Sequence, residues 1–180
     1  MKTAVLVAFL AAFAATPAMA ELDVGTTAPT FKTEAAMAGK AFDFSLDDAL
    51  AKGPVVLYFY PAAFTPGCTI EAHEFADAVD DFKKLGATVI GVSADGIDKL
   101  KKFSVSECRE KFAVAADPDK KIITAYDAAM DRNPAIADRT SYVISPDHKI
   151  LLVHHDLNPS THVQMTMDAV KKWHDMHNMH

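Results

Sequence analysis

The sequence predicts an α/β fold: a central mixed sheet with helices on both faces. Three observations predict it. Short apolar runs such as "PVVLYFY" (54–60) and "ATVIGVS" (87–93) alternate with segments of helical periodicity. A β-hairpin and a helix follow them. Half of the residues are apolar, enough to fill one core between such layers.

Each element has its own signal. In "GKAFDFSLDDALAKG" (39–53) a strand or turn leads into a short helix. "PVVLYFY" is apolar throughout, rich in β-branched and aromatic residues, and bounded by Gly-Pro and by Pro61; it reads as a central strand buried on both faces. From Cys68 to Leu85, Ala72, Phe75, Ala76, Val79, Phe82 and Leu85 recur at helical spacing, with Glu71, Glu74, Asp77 and Asp81 outside the stripe. Gly86 ends that helix. "ATVIGVS" is a second buried strand, and residues 96–103 form a helix. "FAVAADPD" (112–119) is a short strand running into a turn, followed by a helical turn or two over 120–126. "RTSYVIS" (139–145) and "KILLVHH" (149–155), joined by a turn at Pro146–His148, form the hairpin. Ser160 or Thr161 caps a last helix with Val163, Met167, Val170 and Trp173 on one face, Trp173 being read as core.

The first twenty of the 180 residues read as a signal peptide. Lys2 supplies a positive start, Val5 to Ala14 is an apolar core too short to span a bilayer, and "TPAMA" carries the small-residue pattern of signal peptidase. Residues 21–180 then form a single domain, exported to a periplasmic space. Loss of Lys2 takes the net charge from −6 to −7. The basic residues are scattered, which argues against nucleic acid as a partner.

The chain has two cysteines, Cys68 and Cys108. In an exported protein two cysteines are by default a structural disulfide. The setting of Cys68 points elsewhere. It lies just after "FTPG", where a buried strand gives way to a helix. Helix N-termini carry unpaired N–H groups and the positive end of the dipole, and so favour thiolate, the nucleophilic form. Gly67 permits close backbone approach, Pro61 and Pro66 stiffen the loop, and Thr65 can point its hydroxyl into the same space. A thiolate attacking the O–O bond of a peroxide needs donors for the departing oxygen. Of three arginines, Arg109, Arg132 and Arg139, the last begins a strand at an end that can approach the Cys68 loop.

"YPAAFTPGCTIEA" (60–72) resembles the active-site segment of peroxiredoxins, with Pro61, Thr65 and Cys68 at the family's positions. The resemblance is closest to the bacterioferritin-comigratory-protein, or Q-type, branch. It extends in order through "VGTTAPTF", "VIGVSAD", "AADPD", "RTSYVISPD" and "NPSTH". It implies a thioredoxin-like fold, no cofactor, and thiol-dependent reduction of hydrogen peroxide and organic hydroperoxides. By resemblance Cys68 is the peroxidatic cysteine, and Pro61, Thr65, Gly67 and Arg139 surround the substrate. The branch often places a resolving cysteine five residues after the first, where this chain has His73. Other members carry it in the helix after the next strand, so Cys108 takes that role by rough location. The implied cycle forms a sulfenic acid, then a Cys68–Cys108 disulfide, then returns through an external dithiol, thioredoxin-like or an envelope relay. Q-type members are often monomers.

Competing readings stay open. One is a one-cysteine peroxidase with Cys108 as bystander. Another is a non-enzymatic exported module with a structural disulfide. A dithiol–disulfide oxidoreductase would need C-x-x-C, and residue 71 is Glu. Glu71, three residues beyond Cys68 on the same helix face, could join a hydrogen-bond network near the catalytic loop, but the plainer reading is that it complements the helix dipole; His73 reads as solvent-facing rather than as a proton donor. The tail "WHDMHNMH" spaces His174, His177 and His180 by three, with Met176 and Met179 between them, a candidate metal site against the plainer reading of a solvated helix end.

Overall fold

The computed structural model describes residues 22–178; residues 1–21, on which the signal-peptide expectation falls, and residues 179–180 lie outside them. Nine strands run in chain order through this region: β1 (Lys32–Met37), β2 (Lys40–Ser45), β3 (Val55–Phe59), β4 (Thr88–Ser93), β5 (Ala113–Ala116), β6 (Ala129–Met130), β7 (Asn133–Ala137), β8 (Thr140–Ile144) and β9 (Ile150–His155). The helices are α1 (Leu46–Leu50), α2 (Pro66–Lys84), α3 (Ile97–Ser106), α4 (Lys121–Ala125) and α5 (His162–His177). Seven strands make one sheet in the order β2-β1-β5-β4-β3-β8-β9, and β6 and β7 pair on their own. β3, β4 and β5 are parallel, and β1 and β8 flank them antiparallel.

β3 is at the centre because every one of its residues can be buried. Strand alternation sends Val56 and Tyr58 to one face and Val55, Leu57 and Phe59 to the other. The first face is covered by α2, α3 and α5, through Phe75, Phe82, Leu100, Phe103, Met167 and Val170. The second is covered by α1 and α4, through Leu46, Leu50, Ile122 and Ile123. This is the expected mixed sheet with helices on both faces, in the thioredoxin-like arrangement. The expected β3–α2–β4 crossover, the hairpin of β8 and β9, and the last helix are all present.

Several details differ from the expectations. β1 has no strong strand signal, since "KTEAAM" lacks β-branched residues other than Thr33. Its pairing with β2 and β5 makes it a strand. Trp173 is only half-buried and stacks on His177, ring centroids 4.4 Å apart, so it is not core; it sits too near the end of α5 to reach the sheet-facing layer of Met167 and Val170. The last helix is entered through a 3-10 turn, Pro159–Thr161, capped by the Asn158 side chain; Thr161 takes the N-cap position of α5 as expected, although its hydroxyl caps no helix N–H. α2 begins two residues earlier than expected, with Pro66 and Gly67 as its first residues. Proline is well suited there, because its missing N–H would have had no partner.

Candidate active site

The site forms at the carboxyl end of β3. Tyr60 still donates its N–H to Val92 at 3.1 Å, but Pro61 has no N–H and the pairing stops. The chain then turns through Ala63, whose N–H donates to Asp95 Oδ2 at 2.7 Å. Asp95 also accepts from Ser93 Oγ and from Lys99 Nζ, so its carboxylate fixes the loop to the end of β4. Phe64 follows with φ of 69°, exposed to solvent, its ring edge-on to Phe103. Thr65 is the residue that opens α2. Asp95 was not singled out from the sequence, although it lies in the quoted "VIGVSAD".

Cys68 therefore sits in the first turn of α2, and it is buried, 1% exposed. Arg139, the residue before β8, reaches across the sheet. β8 is the strand next to β3, and Thr140 pairs with Phe59, so the start of β8 meets the end of β3. Arg139 Nη2 donates to Cys68 Sγ at 3.6 Å. Gly67 is what makes room: a Cβ there would lie 3.0 Å from that same Nη2. The close approach foreseen at Gly67 is thus made by the guanidinium. Together the helix terminus and Arg139 put positive charge against the sulfur.

The other face of the guanidinium is held by Glu71. Arg139 Nη1 donates to Glu71 Oε2 in a buried, charge-assisted hydrogen bond. This corrects the reading of Glu71 as a dipole-complementing surface residue: it is fully buried. Three residues beyond Cys68 it shares that residue's side of the helix, and the arginine supplies the partner that burial demands. Burial raises the Glu71 carboxyl to about 8, with Arg139 opposing and Glu74 adding to the rise.

Thr65 and Pro61 are placed differently. Thr65 is exposed and its hydroxyl donates to the Ala62 carbonyl at 2.9 Å, which bends the loop; its oxygen keeps lone pairs for a visiting donor. Pro61 is half-buried beside it. Cys108 lies just beyond α3, not within a helix, and is fully buried in the same apolar cluster as Cys68. Tyr58 and Tyr60 lie within electrostatic reach of both sulfurs. Both cysteines are free thiols. Burial, aided by Glu107, pushes the Cys108 thiol far above its usual range.

The segment after α3 is tied to α2 by alternate residues. His73 meets Glu107 at 2.9 Å, Arg109 meets Asp77, and Lys111 meets Asp80 at 3.7 Å. His73, Asp77 and Asp80 share one helix face by their spacing. Arg109 and Glu110 have φ of 50° and 60°. His73 is thus not simply solvent-facing; it holds the residue beside Cys108. In the tail, His177 Nδ1 donates to the Trp173 carbonyl and His174 faces Asp175. Among the described residues no group of three His, Cys, Asp or Glu side chains could hold a metal. His180 lies outside them. Among the described residues no helix is long and apolar enough to cross a membrane.

A thioredoxin-like sheet with a buried cysteine at a helix N-terminus, an arginine against its sulfur and no C-x-x-C defines a thiol-based redox enzyme. Residues 24–153 match the AhpC/TSA family. A Helicobacter pylori protein named peroxiredoxin bcp is 41% identical over 110 residues, covering 61% of this chain and 69% of its own. Peroxiredoxin Q of Sedum lineare chloroplasts is 33% identical over 119 residues, covering 66% and 63%. The crystal structure of peroxidoxin BcpB from Mycobacterium tuberculosis superposes with a TM-score of 0.75 at 28% identity, over 83% of this chain and 96% of that one. The chain belongs to the AhpC/TSA family, in its bcp/Q-type peroxiredoxin branch, and is a thiol-dependent peroxidase.

Proposed function

We propose that Cys68 is the peroxidatic nucleophile for hydrogen peroxide and organic hydroperoxides. The observation that carries this is the Arg139 Nη2 contact with Cys68 Sγ at the N-terminus of α2. The thiolate attacks the nearer peroxide oxygen; an S–O bond forms as the O–O bond breaks. The departing hydroxide or alkoxide takes a proton and leaves as water or alcohol, and Cys68 is left as a sulfenic acid. Arg139 and the free N–H groups of the first turn stabilise the charge that moves onto the leaving oxygen. Thr65 orients the peroxide through its oxygen, Gly67 keeps the arginine close, and Pro61 shields the pocket from water.

Cys108 then condenses with the sulfenic acid, giving a disulfide and water. Both sulfurs are buried on separate elements, so the disulfide needs the first turn of α2, the Cys108 segment, or both to unwind. A dithiol protein, thioredoxin-like or an envelope relay, reduces the disulfide. Residues 1–20 direct export to the periplasm, and the mature chain starts at Glu21. The burial of Cys108 favours one second reading, a one-cysteine peroxidase with Cys108 as bystander.

Intact-mass analysis of peroxide-treated protein separates these readings. The wild type should lose two hydrogens as a disulfide forms. Cys108→Ser should still consume one peroxide and then gain oxygen on Cys68. Cys68→Ser should be inert. A Cys108→Ser protein that behaves like the wild type would make Cys108 a bystander, and a reduced wild type inert to peroxide would sink the assignment of Cys68. The mass of periplasmic protein should match a chain beginning at Glu21.

A further inference from the structure

Behind Arg139 lies a second layer of buried polar groups that the cycle above leaves unused. Glu71 spends Oε2 on Arg139, but its other oxygen, Oε1, is buried with no hydrogen-bond donor. Oε1 faces His162 Nδ1 across 3.8 Å. His162 opens α5 and is fully buried. Its Nε2 lies 2.8 Å from the Asp156 carbonyl, which can only accept, so Nε2 carries the ring hydrogen. In the neutral ring Nδ1 is then bare, and it takes the hydroxyl of Ser141, also fully buried, at 2.8 Å. A ring nitrogen whose lone pair is taken by Ser141, and which has no hydrogen to give, thus faces a carboxyl oxygen without a donor in a dry wall of the site. Two acceptors so placed repel unless a proton sits with one of them.

We infer that Glu71 is a protonated acid beside a neutral His162, and that His162, fixed by Ser141 and Asp156, is a positioning residue that governs how much of Arg139's charge is left for Cys68. The groups facing the pair agree. Arg139, Glu74 and Tyr58 surround Glu71, and burial lifts its carboxyl to about 8. His154, Arg139 and Asp156 surround His162, and burial drops its ring to about 4. Oε1 has no donor and His162 has no hydrogen to offer it, so the proton rests on Glu71. A neutral Glu71 leaves the guanidinium's charge to the sulfur. When peroxide takes the sulfur's electron pair, Cys68 becomes a neutral sulfenic acid and Arg139 loses its anion. Glu71 then ionises and becomes that anion. The proton it gives up offsets the one that the departing hydroxide or alkoxide takes from water.

The inference rests on Cys68 as nucleophile, and infrared difference spectroscopy of Cys108→Ser, reduced against peroxide-treated, tests it. The reduced protein should show the C=O stretch of a protonated carboxylic acid that shifts in heavy water and vanishes on oxidation. Glu71→Gln should lack it. His162→Ala should move or abolish it, shift the pH profile of peroxide reduction, and lower kcat/KM about tenfold, the scale of lost orienting partners elsewhere. Ser141→Ala, which frees Nδ1 without removing the ring, gives the same shifts on a smaller scale if His162→Ala fails to fold. No such band in reduced protein, or one indifferent to both substitutions, overturns the inference. If Cys68 is not oxidised at all, the nucleophile assignment has failed instead.

Discussion

The two cysteines are equally buried, yet they are held by different means. Cys68 is locked into a 19-residue helix, with a guanidinium against its sulfur and the buried Glu71 carboxyl group behind that guanidinium. Cys108 touches the same apolar cluster, but it rides on a short connection between α3 and β5. Two exposed ion pairs, Arg109–Asp77 and Lys111–Asp80, and the half-buried His73–Glu107 contact fasten that connection to α2. Buried, partnered charge is costly to break, while exposed pairs contribute roughly 0.2–1 kcal/mol each. The first region is built to stay and the second to let go. If a disulfide forms, the cheaper movement is that of Cys108 toward Cys68.

The largest effect expected is at the Cys68 end. Arg139→Ala removes the donor nearest the reacting sulfur and strands Glu71, and should cut kcat/KM for hydrogen peroxide by about 10²–10³-fold in stopped-flow assays. Retained activity would mean that the guanidinium is only a structural partner of Glu71. Gly67→Ala comes next. Its Cβ would press on Arg139 Nη2 at 3.0 Å, and the displaced guanidinium should lower the rate by about tenfold with little change in melting temperature. At the Cys108 end the effects shrink. Asp77→Ala, or added salt, loosens the strap and should speed disulfide formation by about 1.5- to 5-fold, leaving the first reaction with peroxide unchanged. A slower disulfide step would show that the strap guides Cys108 rather than restraining it.

The smallest effect is in stability against pH. Burial raises the folded Glu71 carboxyl from its usual 4.5 to about 8, so the folded state binds more protons across that window and stability falls as pH rises through it. His162, lowered from 6.5 to about 4, acts oppositely between those values. Above 6.5 only the Glu71 contribution remains. Melting temperature should therefore fall between pH 6.5 and 8 in the wild type, and the fall should be smaller in Glu71→Gln.

This contrast explains which parts were legible in the sequence. The strands β3 and β4, the helix α2 and the β8–β9 hairpin announce themselves because apolar periodicity and turn residues are local. Cys68 was legible for the same reason: a strand end, Pro, Gly and a helix start are consecutive. Glu71 was not. In the helical pattern it groups with Glu74, Asp77 and Asp81, and only the arrival of Arg139 from β8 separates a buried carboxylate from a solvated one. His162 gave no signal beyond its place in "NPSTH", because its partners Ser141, Asp156 and Glu71 come from three other elements. The strap was hidden too, since ion pairs between distant segments leave no local pattern.

The tandem left-handed residues Arg109 and Glu110 carry one more consequence. Neither is glycine, and each such residue holds roughly 1 kcal/mol or more of backbone strain. The stretch next to Cys108 is thus cocked like a spring, kept down by side-chain pairs on the surface. Unwinding it gives back tension that an ordinary turn would not have stored. If Cys108 resolves a sulfenic acid at Cys68, the reserve shortens the time that acid stands exposed to a second peroxide.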